Sequence, residues 1–211
     1  MTMLERIEQV GVVAAIRADS SKRLIDIAKA LEAGGASFIE VTMNTPNALK
    51  GIEMLADTMG DRIGVGVGTV LDPETARAAI LAGAEYMVTP TLNLKVIEMC
   101  KRYSKLIFPG AFTPTEIMTA WDAGADVVKV FPADAVGPGY LKAIHGPLPQ
   151  VKLMPVGGVN IENCGAFIKN GAVAVTAASC IAPKKDIAEG NWDAISGYAR
   201  QMIANIAAAR E

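Results

Sequence analysis

Eight short apolar runs recur along the chain: Val10–Arg17, Phe38–Met43, Arg62–Val70, Tyr86–Pro90, Leu106–Phe112, Val127–Pro132, Lys152–Gly157 and Val173–Ser179. Each is short and nearly continuous rather than alternating, the pattern of a strand buried on both faces. Helical periodicity fills the gaps: Leu24, Ile27, Ala28 and Leu31 share one face of one segment, and Thr75, Ala78, Ala79 and Ala82 one face of another. Four helical segments end in the same device, glycine among small residues, at Leu31–Ala36, Leu81–Ala84, Asp122–Ala125 and Lys169–Ala172. Gly34, Gly83, Gly124 and Gly171 are placed there as helix C-caps that want a positive φ. They recur 49, 41 and 47 residues apart, the length of two βα units, so a doubled unit repeats four times and gives eight strands.

Strands that follow one another at intervals of about 20–28 residues with a helix between them imply parallel βαβ units. Eight such units predict a single (β/α)8 TIM barrel, with residues 1–211 as one domain. A doubly wound open sheet is the alternative. Gly64, Gly66 and Gly68 lack the G-x-G-x-x-G order of a nucleotide loop and open no helix, so they read as strand glycines in a crowded interior.

Two charged residues break the apolar pattern. Lys129 stands in the middle of Val127-Val-Lys-Val-Phe131, with Val128 and Val130 suited to the helix side and Val127, Lys129 and Phe131 left facing inward. Burial disfavours the ammonium form, which turns the side chain into a nucleophilic amine able to form a Schiff base with a ketone. Glu40 interrupts the second run in the same way, with Ile39, Val41 and Met43 on the helix side. Strands two and six face each other across an eight-stranded barrel, so Lys129 and Glu40 are expected to converge as nucleophile and proton shuttle. The competing reading is a buried ion pair without chemistry, a poor source of stability.

Composition narrows the class. The chain is 51% hydrophobic and 20% charged, which excludes disorder, and its net charge of −2 offers no positive field for nucleic acid or an anionic membrane surface. No apolar stretch approaches the ~20 residues of a membrane span, and the amino-terminal residues are charged rather than signal-like, so the chain is expected to be cytoplasmic. Cys100, Cys164 and Cys180 lack metal or redox spacing and read as plain buried or half-buried thiols. His145 is the only histidine, so no histidine cluster for a catalytic metal exists; its Gly/Pro-flanked setting reads as a solvated loop. Neither a metal nor a cofactor is expected.

A small anionic substrate must therefore be held locally. Gly157 and Gly158 end strand seven before a helix start at Asn160, and Ser179 ends strand eight, where a phosphate cradle of backbone N–H groups is expected in such barrels. Arg17 ends strand one at the mouth, suited to a carboxylate or a phosphate. Thr69, Pro90 and Phe131 end strands three, four and six on the same face.

Taken in order, Ala15-Ile-Arg17, Ile39-Glu-Val-Thr42, Gly66-Val-Gly-Thr-Val70, Val88-Thr-Pro90, Phe108-Pro-Gly110, Val128-Lys-Val-Phe-Pro132, Pro155-Val-Gly-Gly-Val159 and Ser179 resemble the 2-keto-3-deoxy-6-phosphogluconate (KDPG) and 4-hydroxy-2-oxoglutarate (KHG) aldolase family. The resemblance implies a metal-independent class I aldolase, commonly a homotrimer, that cleaves the phosphorylated sugar acid to pyruvate and glyceraldehyde 3-phosphate. It matches Lys129 to the Schiff-base lysine, Glu40 to the general acid/base, Thr69 and Pro90 to pyruvate binding, Phe131 to packing beside the imine, and Gly157, Gly158 and Ser179 to the phosphate site. Two positions depart from the pattern. Asn44 stands where many members carry a carboxylate-binding arginine, which passes that role to Arg17 and leaves the phosphogalactonate epimer open as substrate. Ala177-Ala178 precede Ser179 where glycine is usual, which weakens the cradle. A phosphate-binding barrel isomerase or epimerase is the competing enzyme class, and a barrel that only binds a sugar acid the non-enzymatic one.

Overall fold

The computed structural model describes residues 1–17 and 23–211. All eight apolar runs form strands: β1 Val12–Ile16, β2 Phe38–Thr42, β3 Gly64–Gly68, β4 Tyr86–Val88, β5 Leu106–Phe108 with β6 Gly110–Ala111, β7 Val128–Val130, β8 Leu153–Pro155 and β9 Val175–Ala177. The fifth run is split at Pro109, which has no N–H to give a ladder; its carbonyl still accepts from Lys129 N–H at 2.9 Å. Every pairing is parallel. The ladders form one six-stranded sheet, β5-β4-β3-β2-β1-β9, and one three-stranded sheet, β6-β7-β8, rather than one continuous eight-stranded wall. Isolated parallel bridges Leu153↔Ala172 and Val156↔Thr176 lie between the runs of β8 and β9. The six-stranded order follows the chain without the reversal that a doubly wound sheet requires.

Helices alternate with these strands: α2 Leu24–Ala33, α3 Ala48–Met59, α4 Pro73–Leu81, α5 Leu94–Arg102, α6 Pro114–Asp122, α7 Gly139–His145 and α8 Cys164–Lys169, then α9 Lys184–Glu189 and α10 Trp192–Ala208. The predicted face of α2 is buried in full, whereas α4 buries Ala76 and Ala79 and spends Thr75 on its amino-terminal cap, where the Thr75 N–H donates to Asp72. The glycine stops behave as expected at Gly83, Gly124 and Gly171, with φ of 97°, 96° and 100°. At the first stop the left-handed residue is Gly35, not Gly34; Gly34 is needed for space, since a Cβ on it would lie 2.4 Å from the Ser196 carbonyl oxygen on α10.

Two apolar clusters divide the interior. Ile39, Val41, Val65, Val67, Val128 and Val130 pack outward under the helices, while Val13, Phe38, Tyr86, Val88, Phe108, Val127 and Met154 pack inward on one another. An element absent from the sequence reading, α1 Met3–Val10, precedes β1 and adds Ile7 to the inward cluster. Its start is a capping box: Glu5 N–H donates to the Thr2 hydroxyl and Thr2 N–H donates to the Glu5 carboxylate.

Candidate active site

Above that apolar floor the inward positions turn polar. Lys129 is centred on β7 and Glu40 on β2, each flanked by valines or isoleucine that face the helices, so strand parity forces both charged side chains inward. They are 6% and 3% exposed. Glycine makes the room: a Cβ on Gly64 would lie 2.5 Å from the Phe38 ring, one on Gly66 2.1 Å from the Tyr86 ring, and one on Gly68 1.8 Å from Glu40 Oε1. The glycine run of β3 is thus the imprint of three inward side chains on neighbouring strands.

Lys129 and Glu40 line one cavity of about 510 Å³. Arg17, Thr69, Pro90, Phe131, Gly157, Gly158 and Ser179 line it as well, so nearly all of the predicted site residues come together at the carboxyl ends of the strands. Asn44 does not: it is exposed on the turn after β2, outside the lining, because the chain leaves the strand at Thr42 and parity no longer directs it inward. His145 is no loop residue; it closes α7, its Nε2–H donates to the Val151 carbonyl at 2.9 Å, and it packs where Gly171 leaves space. Cys100 and Cys164 are buried and Cys180 half-buried, with no disulfide among them.

The electrostatics favour a reactive amine. Burial pulls the Lys129 ammonium below the ordinary lysine value, the Glu40 carboxylate pulls it partly back up, and Arg17 pushes it down. Burial likewise pushes the Glu40 carboxyl up, against the opposing pull of Lys129 and Arg17. Among the described residues no ion pair joins the two, and Glu40 Oε2 is buried without a hydrogen-bond partner. The Lys129 Nζ stands 4.8 Å from the centroid of the Phe131 ring, which gives the amine an apolar wall.

At the anion end, Gly157 and Gly158 adopt φ of 97° and 67°, and a Cβ on Gly158 would lie 2.4 Å from Asp134 Cβ. Among the described residues no chain acceptor pairs with the N–H groups of Gly157, Gly158 or Ser179. The helix that follows starts at Cys164 rather than Asn160. Asn160 and Asn163 side chains each accept from the other's backbone N–H at 2.8 Å, a local closure that competes with helix over residues 160–163. Thr69 holds a left-handed φ of 60° at the rim, uncommon for a β-branched residue. Among the lining residues not predicted for the site are Thr42, which donates to the Ile16 carbonyl at 3.1 Å, Cys180 and Thr176. Among the described residues no group of three or more His, Cys, Asp or Glu side chains is placed to hold a metal, and no helix is long and apolar enough to cross a membrane.

The sequence profile of the KDPG and KHG aldolase family matches residues 3–198. The chain belongs to that family. A 2-dehydro-3-deoxy-phosphogluconate aldolase from Haemophilus influenzae is 31% identical over 202 residues, 95% of each chain. A 2-dehydro-3-deoxy-6-phosphogalactonate aldolase from Escherichia coli K12 is 38% identical over 138 residues, 65% of this chain and 67% of the relative. The KDPG aldolase of Legionella pneumophila, solved with pyruvate captured at low pH as a covalent carbinolamine intermediate, superposes with a TM-score of 0.83 at 30% identity over 92% of this chain and 96% of that one.

Proposed function

We propose that this chain is a metal-independent class I aldolase that cleaves KDPG to pyruvate and glyceraldehyde 3-phosphate, and KHG to pyruvate and glyoxylate. The observation that carries the reading is the buried Lys129 amine in one cavity with Glu40. Lys129 Nζ attacks the C2 ketone and water leaves as the imine forms. Glu40 takes the proton of the C4 hydroxyl, the C3–C4 bond breaks, and its electrons pass into the iminium to give an enamine and the free aldehyde. The enamine regains a proton at C3, and hydrolysis returns pyruvate and the lysine. Arg17 binds the keto-acid carboxylate, Thr69, Pro90 and Phe131 shape the pyruvate end, and the unpaired N–H groups of Gly157, Gly158 and Ser179 take the phosphate. The identity to the E. coli phosphogalactonate aldolase favours the C4 epimer as a second substrate; assay of both epimers separates the two.

Residues 1–211 act in this reading as one (β/α)8 barrel, a closure supported by the bridges between β8 and β9. In this reading the enzyme is cytoplasmic and assembles as the homotrimer common in the family; the exposed Leu71, Leu94 and Phe112 offer apolar surface for contact between copies. Borohydride reduction with pyruvate tests the chemistry: a mass adduct on Lys129 is expected, with none in K129M and cleavage reduced by many orders of magnitude. A K129M enzyme that still releases pyruvate at near wild-type rate overturns the assignment.

A further inference from the structure

Thr176 sits in the last apolar run as an ordinary strand residue, yet its side chain faces the same cavity as Lys129 and Glu40. It is 3% exposed, and its Oγ1 has no hydrogen-bond partner. Glu40 Oε2 is in the same condition. The two strands flank β1, where Val13 is level with Thr176 and the small Ala15 is level with Glu40, so no bulky side chain of β1 separates them above Val13. Buried polar atoms without partners are rare and carry a full desolvation penalty, so two in one cavity point to a ligand group that satisfies both.

The chemistry of that group is restricted. An ionised carboxylate only accepts, whereas a threonine hydroxyl can donate or accept. An ionised ligand carboxylate or phosphate cannot donate to Glu40, and an ammonium, which can donate to both oxygens, leaves the Thr176 O–H without an acceptor. A hydroxyl does both, with its proton towards Glu40 and its oxygen lone pair towards the Thr176 O–H.

We infer that Thr176 is a substrate-positioning residue of this site, holding jointly with Glu40 a single hydroxyl group from the sugar acid or from a water at the reacting carbon. The inference rests on the aldolase reading above, and it places the proton that Glu40 removes. Thr176 donates to the hydroxyl oxygen while the proton passes to Glu40, and in cleavage that oxygen becomes the aldehyde carbonyl.

The test is T176V, which keeps the shape and removes the oxygen, beside T176S, which keeps the oxygen. Borohydride trapping of pyruvate on Lys129 is measured first in the wild type; failure there sinks the aldolase reading itself. With that adduct present, kcat/KM for cleavage of the aldol substrate is expected to fall about tenfold or more in T176V and to recover in T176S. Its Tm is expected to hold or rise, since an unpaired buried oxygen is lost; a hydroxyl serving only the fold would lower it. Exchange of the pyruvate C3 protons identifies the source: unchanged exchange assigns the hydroxyl to the substrate, slowed exchange assigns it to water. Cleavage within twofold of wild type in T176V, or a lowered Tm with lost trapping, overturns the inference.

Discussion

Gly68 offers a sharp test of how the site is held, because the perturbation is one methyl group and the geometry states what it meets. In G68A the new Cβ would lie 1.8 Å from Glu40 Oε1, 2.6 Å from its Cδ and 2.9 Å from its Cγ. To restore the 3.0–3.4 Å of tight but real Cβ contacts, the carboxyl must move by roughly 1.2–1.6 Å. Misplacement of a reacting group by about 1 Å costs on the order of 100-fold in rate, or about 2.7 kcal/mol of transition-state stabilisation. Overpacking adds about 1–3 kcal/mol of lost stability. The expected result is a kcat/KM for pyruvate release lowered about 100-fold, with the lysine adduct to pyruvate still formed because Lys129 itself is untouched. G64A and G66A serve as controls: their methyl groups meet the Phe38 and Tyr86 rings of the floor, so stability falls without a selective loss of cleavage. A G68A enzyme with kcat/KM within threefold of wild type would refute the claim that glycine at this position sets the place of Glu40.

Two further outcomes follow from the charges. Glu40 raises the Lys129 pKa and Arg17 lowers it, so E40Q should move the acid limb of pyruvate-imine trapping to lower pH and R17M to higher pH; shifts of the same sign would contradict the arrangement, and the R17M shift should shrink in high salt because Arg17 is exposed. Asp72 caps α4 by accepting from Thr75 N–H at 2.6 Å, which lowers its pKa from the usual 3.8. A depressed carboxyl contributes stability that is present above its unfolded pKa and lost as pH falls through the folded one, so D72A should lose about 1 kcal/mol, or about 2–4 °C in Tm, at neutral pH and progressively less below 3.8. Equal losses at both ends of that range in a melting series would argue against the cap.

The strands were legible because each is buried on both faces and so reads as an uninterrupted apolar run, against which Lys129 and Glu40 stand out. Strand parity then carried both residues to the correct side. Asn44 fell outside because parity ends with the strand at Thr42. Thr176 was hidden by the opposite circumstance: threonine is at home in a strand, so its buried, unpaired oxygen leaves no trace in the pattern. The short α1 was legible but not read: Met3, Leu4, Ile7 and Val10 recur at helical spacing, and Thr2 and Glu5 stand at capping-box spacing before them. The division of the ladders into two sheets depends on strand ends of one or two residues, which no periodicity specifies.

The floor beneath the cavity consists of Phe38, Tyr86, Phe108 and Met154 with Ile7 of α1 below them, all without exposed surface. Traffic through the lower end of the strands is blocked, so substrate and both products must share the rim at the carboxyl ends. For an enzyme that keeps pyruvate bonded to Lys129 after the aldehyde is freed, the closed floor leaves the aldehyde no exit but the rim, past the residues that hold the rest of the substrate. In the synthetic direction both partners must likewise enter by that rim.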